Sequence, residues 1–515
     1  MATRLTYTTG ARSVELDRAF EAALAAARER EPNPPPLTHF VGGSEVAVGE
    51  PFNRADPSRR EHVVSRAREG AELVDEAVES ARAAQREWRQ LPHAERLAFL
   101  RATERLIEEG KLEIAAAISM EVGKVRTESI AEVEEAIDLI ETYCRQVESA
   151  EGFETPLGRL SPDERNTDVL RPYGVFGVIA PFNFPFALGF GMTAAALAAG
   201  NAVVLKPPEE APRSGGAVAR LLAQVGVPDG VISLVQGGPR TGEALVGADV
   251  DGIAFTGSAE VGREIGRRLS AGPYPRPVLA EMGGKNAAIV GASADLEAAA
   301  EGIAKAAFGF SGQKCSACSR AIVVDEAHDE LVERLAAMAA TYAVGDPADP
   351  DVATGPVVNE QAVGRFERSV EAARRDGVVI AGGSRGDDVG WFVEPTVVSG
   401  LPLGHPLTRD ELFLPFVTVV RVRDFAAALA EANAVPYGLT AGVFSRDEEE
   451  LDRFLDEIEA GVVYVNRRAG ATTGAWPGVQ SFCGWKSSGL TGKGGLGPYY
   501  VQQFAREQSR TVVGQ

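Results

Sequence analysis

Lysine is scarce in this chain. Eight lysines stand among 52 basic residues, arginine supplying the rest, and they face 73 acidic residues for a net charge of −21. No basic run gathers anywhere, and a nucleic-acid binder needs a basic face to meet phosphates, so that class is set aside. The acidity speaks to solubility, not to fold. Cysteine is sparse too. Four cysteines in 515 residues do not frame a disulfide-stapled fold, so a reducing, cytoplasmic setting is expected. Residues 1–12 hold no apolar segment that would serve as a secretory signal. Between Arg171 and Lys206 no charge occurs, as a membrane span would require. Pro181, Asn183, Pro185, Gly189, Gly191, Gly200 and Asn201 interrupt that run, which reads as strand, loop, small-residue helix and strand; no membrane partner is expected. No fixed-period repeat or low-complexity segment stands out.

What is present is an ordinary globular composition, 45% hydrophobic and 24% charged, long enough for two or three domains. Residues 1–40 read as a peripheral arm, with a helical pattern at 15–31 ended by the proline-rich run 32–36. Helical periodicity covers 73–109 and again 130–147. In the latter, Glu132, Glu135, Asp138 and Glu141 read as a solvated face. Residues 152–169 read as either a protruding hairpin or a linker. From residue 175 apolar strands (175–180, 201–206, 231–236, 252–256) alternate with helices (186–199, 212–225, 241–246, 259–269). That alternation predicts a parallel sheet covered on both faces, doubly wound by right-handed crossovers. A second alternating set, with strands at 321–325, 416–422, 441–444 and 462–465, predicts a second α/β domain.

Ligands bind at the carboxyl ends of such strands, which places residues 181–185, 206–209 and 256–258 on one rim. Phe255-Thr256-Gly257-Ser258 ends a strand and opens a helix, whose N-terminal amides attract phosphate. The usual G-x-G-x-x-G is missing from this turn, so it is not the ordinary dinucleotide fingerprint. Lys206 and Glu209, after a neighbouring strand, are suited to ribose hydroxyls, and a carboxylate there repels a 2′-phosphate, favouring NAD over NADP. A surface ion pair is the plainer alternative. Glu281-Met282-Gly283-Gly284-Lys285 sets a carboxylate beside two glycines. In a dry pocket Glu281 is a candidate general base, or else a satisfied core carboxylate. Asn183, in a proline-bounded turn, can offer its amide to an oxyanion, or simply shape the turn. Cys315, in Phe310-Ser311-Gly312-Gln313-Lys314-Cys315-Ser316-Ala317, has a cation beside it and small neighbours, as a reactive thiolate needs. A small buried core residue is the competing reading.

These pieces, taken with Pro181-Phe182-Asn183-Phe184-Pro185, Lys206-Pro207-Pro208-Glu209 and Glu411-Leu412-Phe413, resemble the aldehyde dehydrogenase superfamily in order and spacing over nearly the whole chain. The resemblance implies a Rossmann-like NAD-binding domain (41–280, with an oligomerisation hairpin at about 151–170) and an α/β catalytic domain (281–470). Residues 471–515 would supply a substrate-anchor loop and a C-terminal oligomerisation segment, giving a homodimer or higher homo-oligomer. It also implies Cys315 as nucleophile, Glu281 as general base and Asn183 in the oxyanion hole. Lys206 and Glu209 would hold the adenine ribose, Phe255, Gly257 and Ser258 the pyrophosphate region, and Glu411 and Phe413 the nicotinamide side. No metal is implied.

Within the superfamily the chain resembles the 1-pyrroline-5-carboxylate dehydrogenases, which oxidise L-glutamate γ-semialdehyde to L-glutamate with NAD in proline catabolism. The residues that carry this are Glu121-Val122-Gly123-Lys124, Glu135-Ala136-Ile137-Asp138, Ser316-Ala317 after the cysteine, and Thr473-Gly474-Ala475 with Gln480-Ser481-Phe482. By that resemblance Ser316 and the Gly474 and Ala475 amides anchor the α-carboxylate, and Phe482 packs on the aliphatic part. Leu414 and Cys483 depart from the family's usual glycines, and Trp485 follows Cys483-Gly484. Cys318 could be a redox partner of Cys315 or a small core residue. Trp476 and Trp485 keep open a cationic, betaine-type aldehyde, and succinate semialdehyde is the other alternative.

Overall fold

The computed structural model describes residues 5–8, 13–29 and 34–514. The proline-rich run 32–36 therefore lies partly outside the described residues. Five parallel strands form the first sheet in the order Val278–Met282, Gly252–Gly257, Val175–Ile179, Ala202–Lys206, Ile232–Leu234. An antiparallel hairpin, His39–Val41 with Ser44–Val46, extends it. Strands Val175–Ile179 and Ala202–Lys206 are buried at every position, which is why they read as unbroken apolar runs. Chain order reverses direction between Val175–Ile179 and Gly252–Gly257. The crevice outside their carboxyl ends is where a doubly wound sheet takes its ligand.

The second sheet has the order Val378–Ala381, Thr396–Ser399, Phe416–Val422, Cys318–Val324, Asn286–Val290, Thr440–Phe444, Val462–Val465. All its pairings are parallel except the edge strand Val378–Ala381. Strands Asn286–Val290 and Thr396–Ser399 escape the sequence reading. Both are short, and each opens on a polar residue, Asn286 or Thr396. Only Gly283, Gly284 and Lys285 separate the edge strand of the first sheet from the inner strand Asn286–Val290 of the second. Glu281 therefore sits where the two sheets meet.

The charge-free stretch becomes the strand Val175–Ile179, a loop, the helix Ala187–Ala198 and the strand Ala202–Lys206. Among the described residues no helix is long and apolar enough to cross a membrane. Residues 152–169 are a hairpin: Glu154–Pro156 pairs with Glu164–Pro172, and Ala505–Val513 pairs with the latter's other side. This three-stranded sheet is largely exposed.

Two expectations need correction. The helix Arg126–Ser149 is not solvated along its acidic positions: Glu132 and Glu135 are buried. Their partners, Lys124 and Tyr7, come from outside the helix, so charge along the helix alone misleads. The arm is not merely peripheral either. Its helix Val14–Arg28 buries Phe20 and Leu24 in the main core, to which Leu5 also belongs.

Candidate active site

The nucleophile loop is bent into an unusual shape. Phe310, Ser311 and Gly312 have φ of 49°, 51° and 66° in succession, a left-handed run costly for the two non-glycine residues. Neighbouring backbone fixes it. Ser311 N–H donates to Thr354 Oγ1 at 2.7 Å and Ser311 Oγ to the Gly355 carbonyl at 2.5 Å. Val358 N–H donates to Gln313 Oε1 at 2.8 Å. A Cβ on Gly312 would lie 2.0 Å from the Leu414 carbonyl oxygen, so glycine is required there twice over. Leu414, the departure noted above, turns its side chain into a small apolar cluster and presents backbone to the loop. Asn183 Nδ2 donates to the Gln313 carbonyl at 3.0 Å, tying the turn 181–185 to the nucleophile loop.

Beneath this lies a buried ion pair. Lys124 Nζ meets Glu132 Oε2 at 2.6 Å, both side chains fully buried. The ammonium lies 3.5 Å from the Phe184 ring centroid and 4.8 Å from that of Phe310. Glu132 Oε1 accepts from Phe186 and Ala187 N–H, at the start of helix Ala187–Ala198. One pair thus clamps the Asn183 turn, a helix start and the nucleophile loop. Glu121 does similar structural service, accepting from Arg213 and Ser214 N–H at the start of helix Pro212–Gln224.

Cys315, Glu281, Ser316, Gly474, Ala475 and Phe482 line one cavity. Burial pushes the Cys315 thiol well above its ordinary range, with Glu411 and Glu281 adding to it, while the Ser316 and Cys315 N–H groups favour the thiolate. Burial raises the Glu281 carboxyl to about 7, against the pull of its hydrogen bond from Gly495 N–H. That suits a proton acceptor near neutrality. At the other end, Gly474 has a φ of 87°. Arg467 secures the turn by donating to the Thr473 and Gly474 carbonyls at 2.8 and 2.9 Å. Among the described residues neither the Gly474 nor the Ala475 N–H has a protein acceptor, leaving both amides for an anion.

Among the cavity residues to which sequence reasoning gave no site role are Tyr7, Glu135, Tyr143 and Tyr500. Glu135 was visible inside an acidic helix, but nothing local marked it as buried. Both tryptophans leave the cavity wall. Trp485 is 47% exposed on the short strand Trp485–Lys486, and Trp476 Nε1 donates to Asp138 at 2.6 Å. Cys318 is a core residue under the second sheet, with burial pushing its thiol up to about 12. Cys483 donates to the Gly461 carbonyl at 3.3 Å.

The rim of the first sheet fits a dinucleotide. Ser258 caps the helix Ala259–Ser270, accepting from Val261 N–H, and leaves the helix N-terminus at the crevice, where a pyrophosphate is favoured. The Phe255 ring turns inward and packs against Gly257 and Gly262, so the backbone, not that ring, faces the rim. Lys206 Nζ donates to the Pro207 and Gly237 carbonyls, both at 3.0 Å. The Glu209 carboxylate lies against Gly238, where a Cβ would come within 2.2 Å of it. Glu411 accepts from Gly284 N–H at 2.9 Å and lies against Gly283, and burial raises its carboxyl to about 7. Phe413, at φ 58°, packs edge-on against Phe182 at 5.7 Å. Among the described residues no His, Cys, Asp and Glu cluster is arranged to hold a metal.

Residues 45–509 match the aldehyde dehydrogenase family, and the chain belongs to that family. It is 36% identical over 509 residues to the 1-pyrroline-5-carboxylate dehydrogenase of Geobacillus sp. (strain WCH70), covering 97% of each chain. The structure of 1-pyrroline-5-carboxylate dehydrogenase from Thermus with bound NAD superposes with a TM-score of 0.94 at 34% identity, covering 100% of this chain and 99% of that one. Proline utilization A (PutA) from Bdellovibrio bacteriovorus superposes with a TM-score of 0.92 at 34% identity over 97% of this chain. The chain spans about half of that longer protein, 52% of its length.

Proposed function

We propose that this chain is an NAD-dependent dehydrogenase that oxidises L-glutamate γ-semialdehyde, the open form of 1-pyrroline-5-carboxylate, to L-glutamate in proline catabolism. One observation carries the reading. A single cavity brings together a cysteine, a glutamate whose carboxyl is raised by burial, Ser316 and the two uncommitted backbone amides of Gly474 and Ala475. A short aldehyde with a distal carboxylate fits that set of groups.

The Cys315 thiol passes its proton to the Glu281 carboxylate, which gives it up to solvent; Sγ attacks the aldehyde carbon, and Asn183 Nδ2 with the Cys315 N–H holds the developing oxyanion. Bound NAD supplies the hydride acceptor that allows the thiohemiacetal to become a thioester. Glu281 then takes a proton from a water that cleaves the thioester, releasing acid and thiol. Ser258 and Gly257 would hold the pyrophosphate, Lys206 and Glu209 the adenine ribose, and Glu411 and Phe413 the nicotinamide side. Ser316, Gly474 and Ala475 anchor the substrate carboxylate, and Phe482 packs on its methylenes. A betaine-type aldehyde finds no tryptophan wall here.

The domain limits 1–40, 41–280, 281–470 and 471–515 belong to the same reading, as do a cytoplasmic location and a homodimer or higher homo-oligomer. The edge strand Ala505–Val513, largely exposed, offers unpaired backbone to a second copy. Sedimentation of the purified chain tests the last point, a monomer removing it. The substrate is tested by steady-state NAD reduction with glutamate γ-semialdehyde, succinate semialdehyde and betaine aldehyde. The reading requires the highest kcat/KM with the first, and preference for another removes the proline assignment.

A further inference from the structure

We infer that the N-terminal segment Leu5-Thr6-Tyr7-Thr8 is a wall of the aldehyde cavity and that Tyr7 is a specificity-determining residue for the amino-acid end of the substrate. The second half of this statement rests on the substrate proposed above.

The segment is anchored well away from the cavity. Helix Val14–Arg28 follows it, with Phe20 fully buried. Arg126 reaches Asp17 and Glu21 at 3.3 and 3.1 Å, and Arg28 meets Asp346 at 2.8 Å. Docking that helix does not require a phenol in the cavity, yet Tyr7 is there. Its ring packs edge-on against Phe184 and against Trp476, each at 5.6 Å. Two such contacts fix a ring's position more tightly than burial alone. Lys314 Nζ lies 5.7 Å from the ring centroid. The Tyr7 hydroxyl donates to Glu135 Oε2 at 2.5 Å. Next along the chain, the Thr8 methyl covers Gly474, where a Cβ would come within 2.4 Å of it. Arg467, which secures the Gly474 turn, also donates to Thr8 Oγ1 at 3.4 Å.

The segment therefore touches the anchor loop, the turn bearing Asn183 and an acidic cavity group at once. Burial, with Glu135 and Glu132 adding to it, holds the Tyr7 hydroxyl protonated far above neutral pH, so Tyr7 contributes shape and a hydrogen bond and takes no proton during turnover. A small residue at this position would open the anchor end of the cavity and release Glu135 while leaving the Cys315 end untouched.

The test uses the full chain and Tyr7→Ala, with Tyr7→Phe as the conservative variant. Glutamate γ-semialdehyde is compared with propionaldehyde, which has no amino-acid end. Loss of uniform substrate binding raises KM and spares kcat. For Tyr7→Ala the KM for the semialdehyde should rise roughly tenfold, equivalent to about 1.4 kcal/mol, with kcat and the propionaldehyde KM changed less than about twofold. A substrate-independent readout accompanies it: the rate at which Cys315 is alkylated by a bulky maleimide, followed on the Cys315 peptide. That rate should rise severalfold in Tyr7→Ala, return to the parent value in Tyr7→Phe, and be matched by no change with small iodoacetamide. Equal KM shifts for both aldehydes, or an unchanged maleimide rate, would overturn the inference. Should the parent ignore glutamate γ-semialdehyde, the substrate reading falls, and the alkylation contrast alone decides whether Tyr7 is a wall.

Discussion

Replacing Glu132 by glutamine keeps an acceptor for the Phe186 and Ala187 amides but removes the charge opposite Lys124. Both side chains are fully buried and 2.6 Å apart, so the ammonium is left in a dry site against the Phe184 and Phe310 ring faces, with Glu128 the carboxylate that still acts on it. Breaking a buried pair from one side costs about 3–5 kcal/mol. The two rings recover on the order of 1–2 kcal/mol each at most, and they are present before and after the change. The expected loss is therefore about 3–5 kcal/mol, read as a lower urea midpoint at unchanged slope. A double variant, Lys124→Met with Glu132→Gln, removes the stranded charge and should recover at least about 2 kcal/mol of that loss. Burial already lowers the Lys124 pKa, and without Glu132 it falls further. The unfolded chain then binds the proton that the native state gives up, so the stability of Glu132→Gln rises with pH. Because the pair clamps the Asn183 turn, kcat should fall roughly tenfold as well. A cost below about 1 kcal/mol, a pH-independent cost, or a double variant no better than the single one would refute the clamp.

Glu281, with its carboxyl at about 7, must be ionised to act as a base. The rate of thioester hydrolysis should rise through neutral pH, and Glu281→Gln should lose that limb together with roughly 10²–10⁴-fold in rate. The same raised pKa gives native stability that is present below the unfolded value near 4.5 and is lost as pH climbs through about 7. The urea midpoint of Glu281→Gln should therefore gain on the parent across that window, by on the order of 3 kcal/mol. Gly312→Ala places a Cβ 2.0 Å from the Leu414 carbonyl at a φ of 66°. It should abolish turnover and lower stability by at least about 1–3 kcal/mol, measured by kcat and melting. Glu209→Gln removes the carboxylate that repels a 2′-phosphate, so the kcat/KM ratio of NADP to NAD should rise about tenfold or more.

Much of this was legible in the chain, for reasons that differ by element. Strands Val175–Ile179, Ala202–Lys206 and Gly252–Gly257 stood out because a strand inside a parallel sheet is largely apolar, and their ends carry the rim motifs. Cys315, Glu281 and the Gly474 turn were readable because each pairs a reactive or special residue with glycine where backbone must come close. Glu132 and Glu135 were misread because the helix Arg126–Ser149 is enclosed on nearly every side, and the groups that satisfy these carboxylates come from Lys124, the start of helix Ala187–Ala198 and Tyr7. Periodicity sees none of those partners. Tyr7 escaped for the same reason: it enters the cavity through a contact 128 residues away in sequence. Leu414, which departs from the family's usual glycine, puts its side chain into a separate apolar cluster.

The central claim is that Cys315 carries the acyl group that Glu281 later releases. Glu281→Gln, incubated with glutamate γ-semialdehyde and NAD and then quenched, puts that directly to mass spectrometry of the intact chain and its Cys315 peptide. The account predicts a glutamyl thioester on Cys315, formed with one equivalent of NADH and absent from Cys315→Ala. NADH formation in Cys315→Ala at the parent rate, or an adduct on any other residue, would contradict it.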